Sequence, residues 1–166
     1  MKTVLLNTIS LVANLNRQNL DIIHMTLRGW RVKDINSVQV MVLFNLGKQK
    51  LCIAELVDRG YYLGTNASYS INKMIKKGYL VAESSKEDRR ATNVKVSAKG
   101  LLLCNKIGSF YDAQVKKLKN LGISEQKLKN TNSLLNSLSQ FLEKNMPYES
   151  VREANLVGAQ KKSKKK

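Results

Sequence analysis

Apolar residues recur along this chain at two different periods, and the switch between them divides it. From Thr3 to about Leu27 the steps are helical: Leu5, Ile9 and Val12, then Leu20, Ile23 and Leu27. Asn16 interrupts the stripe, no Pro or Gly falls inside it, and Gly29 supplies the stop. Shorter helical segments are predicted next. One runs from Ile35 to Leu46 with Val38, Val42, Leu43 and Leu46 on one face, Asn36 or Ser37 as its cap and Gly47 after it. Another, Leu51 to Arg59, turns Ile53, Leu56 and Val57 inward and stops at Gly60. The next is capped by Thr65 or Asn66 and runs through Lys77, with Ala67, Ile71, Met74 and Ile75 inward and Gly78 at its end.

The period then shortens. Tyr79-Leu80-Val81-Ala82 and Val94-Lys95-Val96-Ser97 are strand-like runs around a charged stretch, Glu83 to Asn93. That is the pattern of a β-hairpin with a polar tip. After Gly100 the helical period returns through Leu103, Ile107, Phe110 and Leu118, until Gly122 breaks it. Ser124 caps a last helix with Leu128, Leu135, Leu138 and Leu142 at near-heptad steps, closed by Pro147. The order is one long helix, three short ones, a hairpin and two long helices. The terminal helices carry more apolar surface than so small a middle module can cover, which predicts a homodimer with those helices interleaved.

Composition changes this picture mainly through charge. Lys plus Arg is 29 against 12 Asp plus Glu, a formal net charge of +17, which points to polyanionic partners. Five lysines fall within Lys161–Lys166, yet the chain remains basic without them, and residues 147–166 read as a disordered basic tail. Apolar residues make up 43%, enough for a real core. Cys52 and Cys104 are too few for a disulfide scaffold and sit in apolar patterns, as expected of reduced cytoplasmic thiols. A redox-sensor role would need an exposed thiolate of low pKa, and their apolar neighbours favour burial. Met1-Lys2 before Val4-Leu5-Leu6 loosely imitates a signal peptide, but Asn7, Asn14 and Asn16 break the run, so an amphipathic helix is expected there. No stretch approaches the roughly 18 apolar residues of a membrane span.

Chemistry-bearing groups concentrate in two places. Leu51 to Gly78 has the helix, Gly-containing turn and helix of a helix-turn-helix. The outward face of its second helix holds Asn66, Ser68, Tyr69, Asn72, Lys73 and Lys76, groups able to bond base edges and phosphates in a major groove. The hairpin offers Lys86, Arg89, Arg90 and Lys95 to the backbone or minor groove. Each set also has a plainer reading, a solvated lysine face and a surface ion-pair cluster of small stabilising value. A single His, no Cys/His metal spacing, no Gly-rich phosphate loop and no nucleophile elbow argue against an enzyme, a metal or a cofactor.

The run Asp88-Arg89-Arg90-Ala91-Thr92-Asn93-Val94-Lys95-Val96-Ser97-Ala98-Lys99-Gly100 resembles the wing signature of the MarR-type winged helix-turn-helix regulators. The spacing from Leu56 to Gly78-Tyr79-Leu80 is similar too, and the resemblance extends over about residues 1–146, weakening in the terminal helices. Tyr61 to Tyr69 resembles one branch, the LdtR-type regulators. The resemblance implies a mainly α fold with a small β-hairpin wing (α+β). A DNA-binding domain would cover 31–100 and a helical dimerisation region 1–30 and 101–146. It implies an obligate, triangular dimer with two recognition helices in successive major grooves of double-stranded DNA. Asp88 would orient the wing arginines, Arg90 would enter the minor groove and Arg89 would reach phosphate. Where Tyr69 stands the family often has Arg; Tyr can bond phosphate or pack on a thymine methyl but lacks the bidentate reading of guanine.

The resemblance further implies a small anionic or aromatic effector between the dimer helices and the DNA module, with His24, Arg28 and Trp30 as its pocket. The plainer reading of His24 is an interface histidine. The expected function is a sequence-specific, cytoplasmic regulator on a pseudo-palindromic operator. The alternative is an architectural nucleic-acid binder without sequence preference, driven by net charge. A peripheral membrane protein fits less well, given the interrupted first helix and the hairpin.

Overall fold

The computed structural model describes residues 1–58, 66–84 and 92–145. Among them α1 spans Lys2–Gly29, α2 Ser37–Leu46, α3 Ile53–Asp58, α4 Ala67–Lys76, α5 Ala98–Asn120 and α6 Glu125–Asn145. The strands β1 (Leu51–Cys52), β2 (Leu80–Ser84) and β3 (Thr92–Val96) form one antiparallel sheet in the order β1-β3-β2. This is the mainly helical, winged helix architecture expected, with one addition. Leu51 and Cys52 do not begin a helix, as periodicity suggested. Leu51 pairs with Val94 and Cys52 with Asn93, covering an edge that a bare hairpin would leave open. The shortened α3 then starts with Glu55 reaching back, its Oε2 accepting from the Cys52 N–H at 2.9 Å.

The chain divides into two compact units, 1–112 and 113–166. The core of the first gathers Ile23 and Leu27 of α1, Val40, Val42, Leu43 and Leu46 of α2, and Leu56 of α3. Ile71 and Met74 of α4, Leu80 and Val94 of the sheet, and Leu103 and Ile107 of α5 complete it. Each fully buried Leu or Ile stabilises by about 1.5–3 kcal/mol relative to exposure. Only the C-terminal part of α1 enters this core; Val4, Leu6, Ile9, Leu11, Val12 and Leu15 are exposed.

Local chemistry sets the helix ends. Asn36 caps α2, its Oδ1 accepting from the Gln39 N–H at 2.9 Å while Gln39 Oε1 accepts from the Asn36 N–H at 3.2 Å. The stop expected at Gly29 lies two residues later. Gly29 is the last helical residue, and the left-handed position falls on Arg31, φ +58°. Arg31 N–H bonds Arg28 O at 3.0 Å and Val32 N–H bonds Leu27 O at 2.9 Å, a paired closure that turns Val32 back onto the core. The same closure ends α4, with Gly78 at φ +76°, Gly78 N–H on Ile75 O and Tyr79 N–H on Met74 O.

At the start of α5, Ser97 Oγ donates to Gly78 O at 2.6 Å and accepts from the Gly100 N–H at 3.0 Å. Gly100 has no room for a side chain. A Cβ there would lie 2.5 Å from Tyr79 O and 2.6 Å from Val96 Cγ1.

The described part of the second unit holds the end of α5 and all of α6. Ser124 Oγ caps α6 by accepting from the Lys127 N–H at 3.3 Å. None of its residues is buried: Leu128, Leu134 and Phe141 are exposed, and Leu135, Leu138 and Leu142 are half-buried.

Candidate nucleic-acid interface

Helix α4 has two unlike faces because its residue types alternate at helical spacing. Ala67, Ile71 and Met74 are buried. Ser68, Tyr69, Asn72, Lys73 and Lys76 are all exposed, Tyr69 by 71%, and they form one stripe down the helix. Asn66 is the N-cap residue and exposed, although its side chain does not bond the helix end. The sequence-predicted recognition set is therefore brought together on one solvent-facing surface. Lys73 and Lys76 lie in the last turn, where cations also complement the helix dipole.

What fixes that surface lies on the opposite side. Gln39, only 4% exposed, donates from Nε2 to Ser70 Oγ at 3.0 Å while its Oε1 serves the α2 cap. One amide thus ties α2 to α4, and cutting the tie would strand a buried polar group at about 1–3 kcal/mol. Sequence reading passed over Gln39, although the spacing Asn36-x-x-Gln39 is itself a capping-box signal.

A second tie holds the far end of α4. Asp34 Oδ1 accepts from the Tyr79 hydroxyl at 2.7 Å, and Asp34 Oδ2 accepts from Lys99 Nζ at 2.9 Å. Lys99 also donates to Lys77 O at 2.9 Å and stands 4.0 Å from the Tyr79 ring centre. Partial burial works to raise the Asp34 pKa, but the bonds from Tyr79 and Lys99 outweigh it and hold the carboxyl below the usual range. Burial and the adjacent carboxylate push the Tyr79 phenol well up, so it stays a donor.

In the hairpin, Lys95 is exposed but not alone: Glu83 accepts from both Lys50 and Lys95. The predicted wing residues Lys86, Asp88, Arg89 and Arg90, the turn glycines Gly60 and Gly64, and the basic tail lie outside the described residues.

A cavity of about 620 Å³ opens between α1, the α1–α2 connection, α2 and α4. His24 and Arg28 line it, as the effector reading expects, and Lys33, Lys73 and Lys77 add further basic groups facing the single carboxylate of Asp34. Trp30 does not line it. Its ring packs against the core and carries the Lys106 ammonium 4.3 Å from its centre. Cys52 and Cys104 are free thiols, both half-buried, and burial pushes the Cys104 thiol up, away from the ionised form a sensor needs. Among the described residues no cluster of His, Cys, Asp and Glu could hold a metal ion, and no helix is long and apolar enough to cross a membrane.

Residues 35–100 match the family model of a winged helix DNA-binding domain. The exopolysaccharide II synthesis transcriptional activator ExpG of Rhizobium meliloti is 38% identical over 73 residues, 44% of this chain. That stretch is 38% of the relative, so the match spans well under half of its length. The crystal structure of Streptococcus pneumoniae FabT in complex with DNA is similar over 83% of this chain and 96% of that one, at TM-score 0.64 and 26% identity. A MarR transcriptional regulator from Methanosarcina mazei Go1 is similar over 81% and 95%, at TM-score 0.63 and 22% identity. Of these matches, ExpG is named a transcriptional activator and the Methanosarcina mazei protein a transcriptional regulator, and the family model describes a DNA-binding domain.

Proposed function

We propose, from the premise that this chain is a winged helix DNA-binding regulator with the fold of the MarR family, that it acts as a homodimer on a pseudo-palindromic operator. The observation that carries this is α4: one face is locked by Ile71, Met74 and the Gln39–Ser70 bond, while the other presents Ser68, Tyr69, Asn72, Lys73 and Lys76 as a continuous polar and basic stripe. Asn72 would read a base edge and the lysines would meet phosphate. Arg89 and Arg90 of the wing would add backbone and minor-groove contacts, oriented by Asp88, with Lys86 beside them. The uncovered apolar residues of the first half of α1 and of α6 support a dimer, because a second copy is the simplest cover for them. Acting on DNA, the protein would work in the cytoplasm.

The basic cavity supports regulation by a small organic anion held by His24 and Arg28, with Lys73 and Lys77 of the DNA-reading side on the same wall. An anion that prefers one spacing of the paired recognition helices would shift operator occupancy, and DNA would weaken anion binding by the same factor.

Selection from random duplex DNA with the purified protein at physiological salt tests the reading. Enrichment of an inverted repeat with half-sites ~10 bp apart is the expected outcome. Strong binding without any enriched motif would instead favour the architectural reading, for which the +17 charge is the supporting observation. Within a selected operator, Asn72→Ala should relax preference at one base pair by roughly 1–3 kcal/mol.

A further inference from the structure

The sheet has an inner and an outer face. Leu80, Val94 and Val96 turn into the core, while Val81 stands opposite Lys95 and Glu83 opposite Asn93. Strand β1 pairs Leu51 with Val94, so one further step of the same register sets Lys50 beside Lys95. Like charges placed across neighbouring strands repel. Glu83 stands diagonal to Lys95 on the adjacent strand and reaches across β3 to Lys50, giving each its own oxygen: Oε2 accepts from Lys50 Nζ at 2.7 Å, and Oε1 accepts from Lys95 Nζ. The three side chains are 45%, 48% and 35% exposed for Lys50, Lys95 and Glu83, so the lysines face solvent yet are already engaged. The bonds from Lys50 and then Lys95 hold the Glu83 carboxyl down to about 2, below the usual glutamate range.

We propose that Glu83 is a selectivity-setting residue that withholds Lys50 and Lys95 from DNA phosphates. The inference rests on the DNA-binding reading above. A free ammonium meets any phosphate whatever the sequence, so each one strengthens binding everywhere on a duplex. In a chain of formal charge +17 that background is large, and specificity is the ratio of operator to background affinity. A carboxylate seated between two lysines lowers the background twice over. It takes one N–H donor of each ammonium and offsets part of their charge, and it repels the approaching phosphate. The position suits the role, because β2 and β3 lead directly into the segment whose sequence carries Lys86, Arg89 and Arg90. Glu83 is thus a positioning residue for charge, acting through the two lysines and not by touching a base.

The test uses the full chain as wild type, Glu83→Gln, Lys50→Gln with Lys95→Gln, and the triple variant. Binding is titrated against salt on the selected operator and on a random-sequence duplex of equal length. Glu83→Gln should bind the random duplex more tightly and steepen its salt dependence, by roughly 0.9 in slope for each freed lysine. Its operator preference should fall, and the triple variant should lose the gain. An unchanged slope on random duplex, with wild type still binding its operator, overturns the proposal. So does weaker binding of Glu83→Gln with a lowered melting midpoint, which would make the network a brace for the sheet alone. A gain that survives in the triple variant also overturns it, since the lysines would then be bystanders. Wild type binding neither duplex would instead overturn the DNA-binding reading itself.

Discussion

Helices α2 and α6 make an instructive pair. The ten residues of α2 bury Gln39, Val40, Val42, Leu43 and Leu46, whereas the 21 residues of α6 bury none, although Leu128, Leu134, Leu135, Leu138, Phe141 and Leu142 recur along it. Both are capped at their N-termini by an Asn or Ser side chain, so local signals do not separate them. What differs is whether the rest of the chain supplies a covering surface. A helix is held by what its apolar face meets more than by its own propensity. In α2 that partner is present within its own unit, and among the described residues none of α6 is buried.

Substitutions test this contrast. The largest effect is expected in α2, where Leu43→Ala should lower unfolding free energy by roughly 2–5 kcal/mol. Denaturant titration should show that loss to the same extent at every protein concentration. Phe141→Asp in α6 should instead act through association. Sedimentation equilibrium should show a dimer dissociation constant raised at least about tenfold, near 1.4 kcal/mol. An unshifted constant would leave the apolar face of α6 without a role in pairing.

Smaller effects sharpen the picture around the α4 terminus. Tyr79→Phe deletes the hydroxyl that Asp34 accepts from and should cost about 1 kcal/mol in thermal or chemical unfolding. The pH dependence of Asp34 has a definite sign. Its folded pKa is lowered, so its stabilising contribution is complete above the ordinary aspartate value of about 3.9 and is lost as pH falls through the folded value. Asp34→Asn should remove that part of the acid-side decline in stability. The smallest effect runs the other way. Arg31→Gly should stabilise by about 0.5 kcal/mol, because relief of a left-handed Arg slightly exceeds the entropy Gly adds to the unfolded chain.

Much of this architecture was legible in the residues. The inward set Ala67, Ile71 and Met74 and the outward set of α4 follow from helical spacing alone, and the hairpin follows from alternation, although its strands, Leu80–Ser84 and Thr92–Val96, run further into the charged stretch than the expected loop Glu83 to Asn93 allows. Strand β1 was not legible. Leu51-Cys52-Ile53 is apolar in either conformation, and what decides it is pairing with Val94 and Asn93, some forty residues onward. Arg31 was missed for a related reason. Gly29 is the residue type that favours a left-handed turn, but the register of Val32 on Leu27 places the turn at Arg31 instead. Asp34, Tyr79 and Lys99 are scattered in sequence and become one site only through the fold. Glu83 carried a weak signal, an acid two places from an exposed strand position flanked across the sheet by lysines, which becomes visible only once the register is known.

The crowding at Gly100 has a mechanical consequence. With a backbone carbonyl and a valine methyl already standing where its Cβ would be, the first turn of α5 rests directly on the Tyr79 backbone, and Ser97 pins the same spot to Gly78. Any residue larger than glycine at this position would have to lift the first turn of α5 away from the root of β2, so this seam of the fold tolerates no added atom.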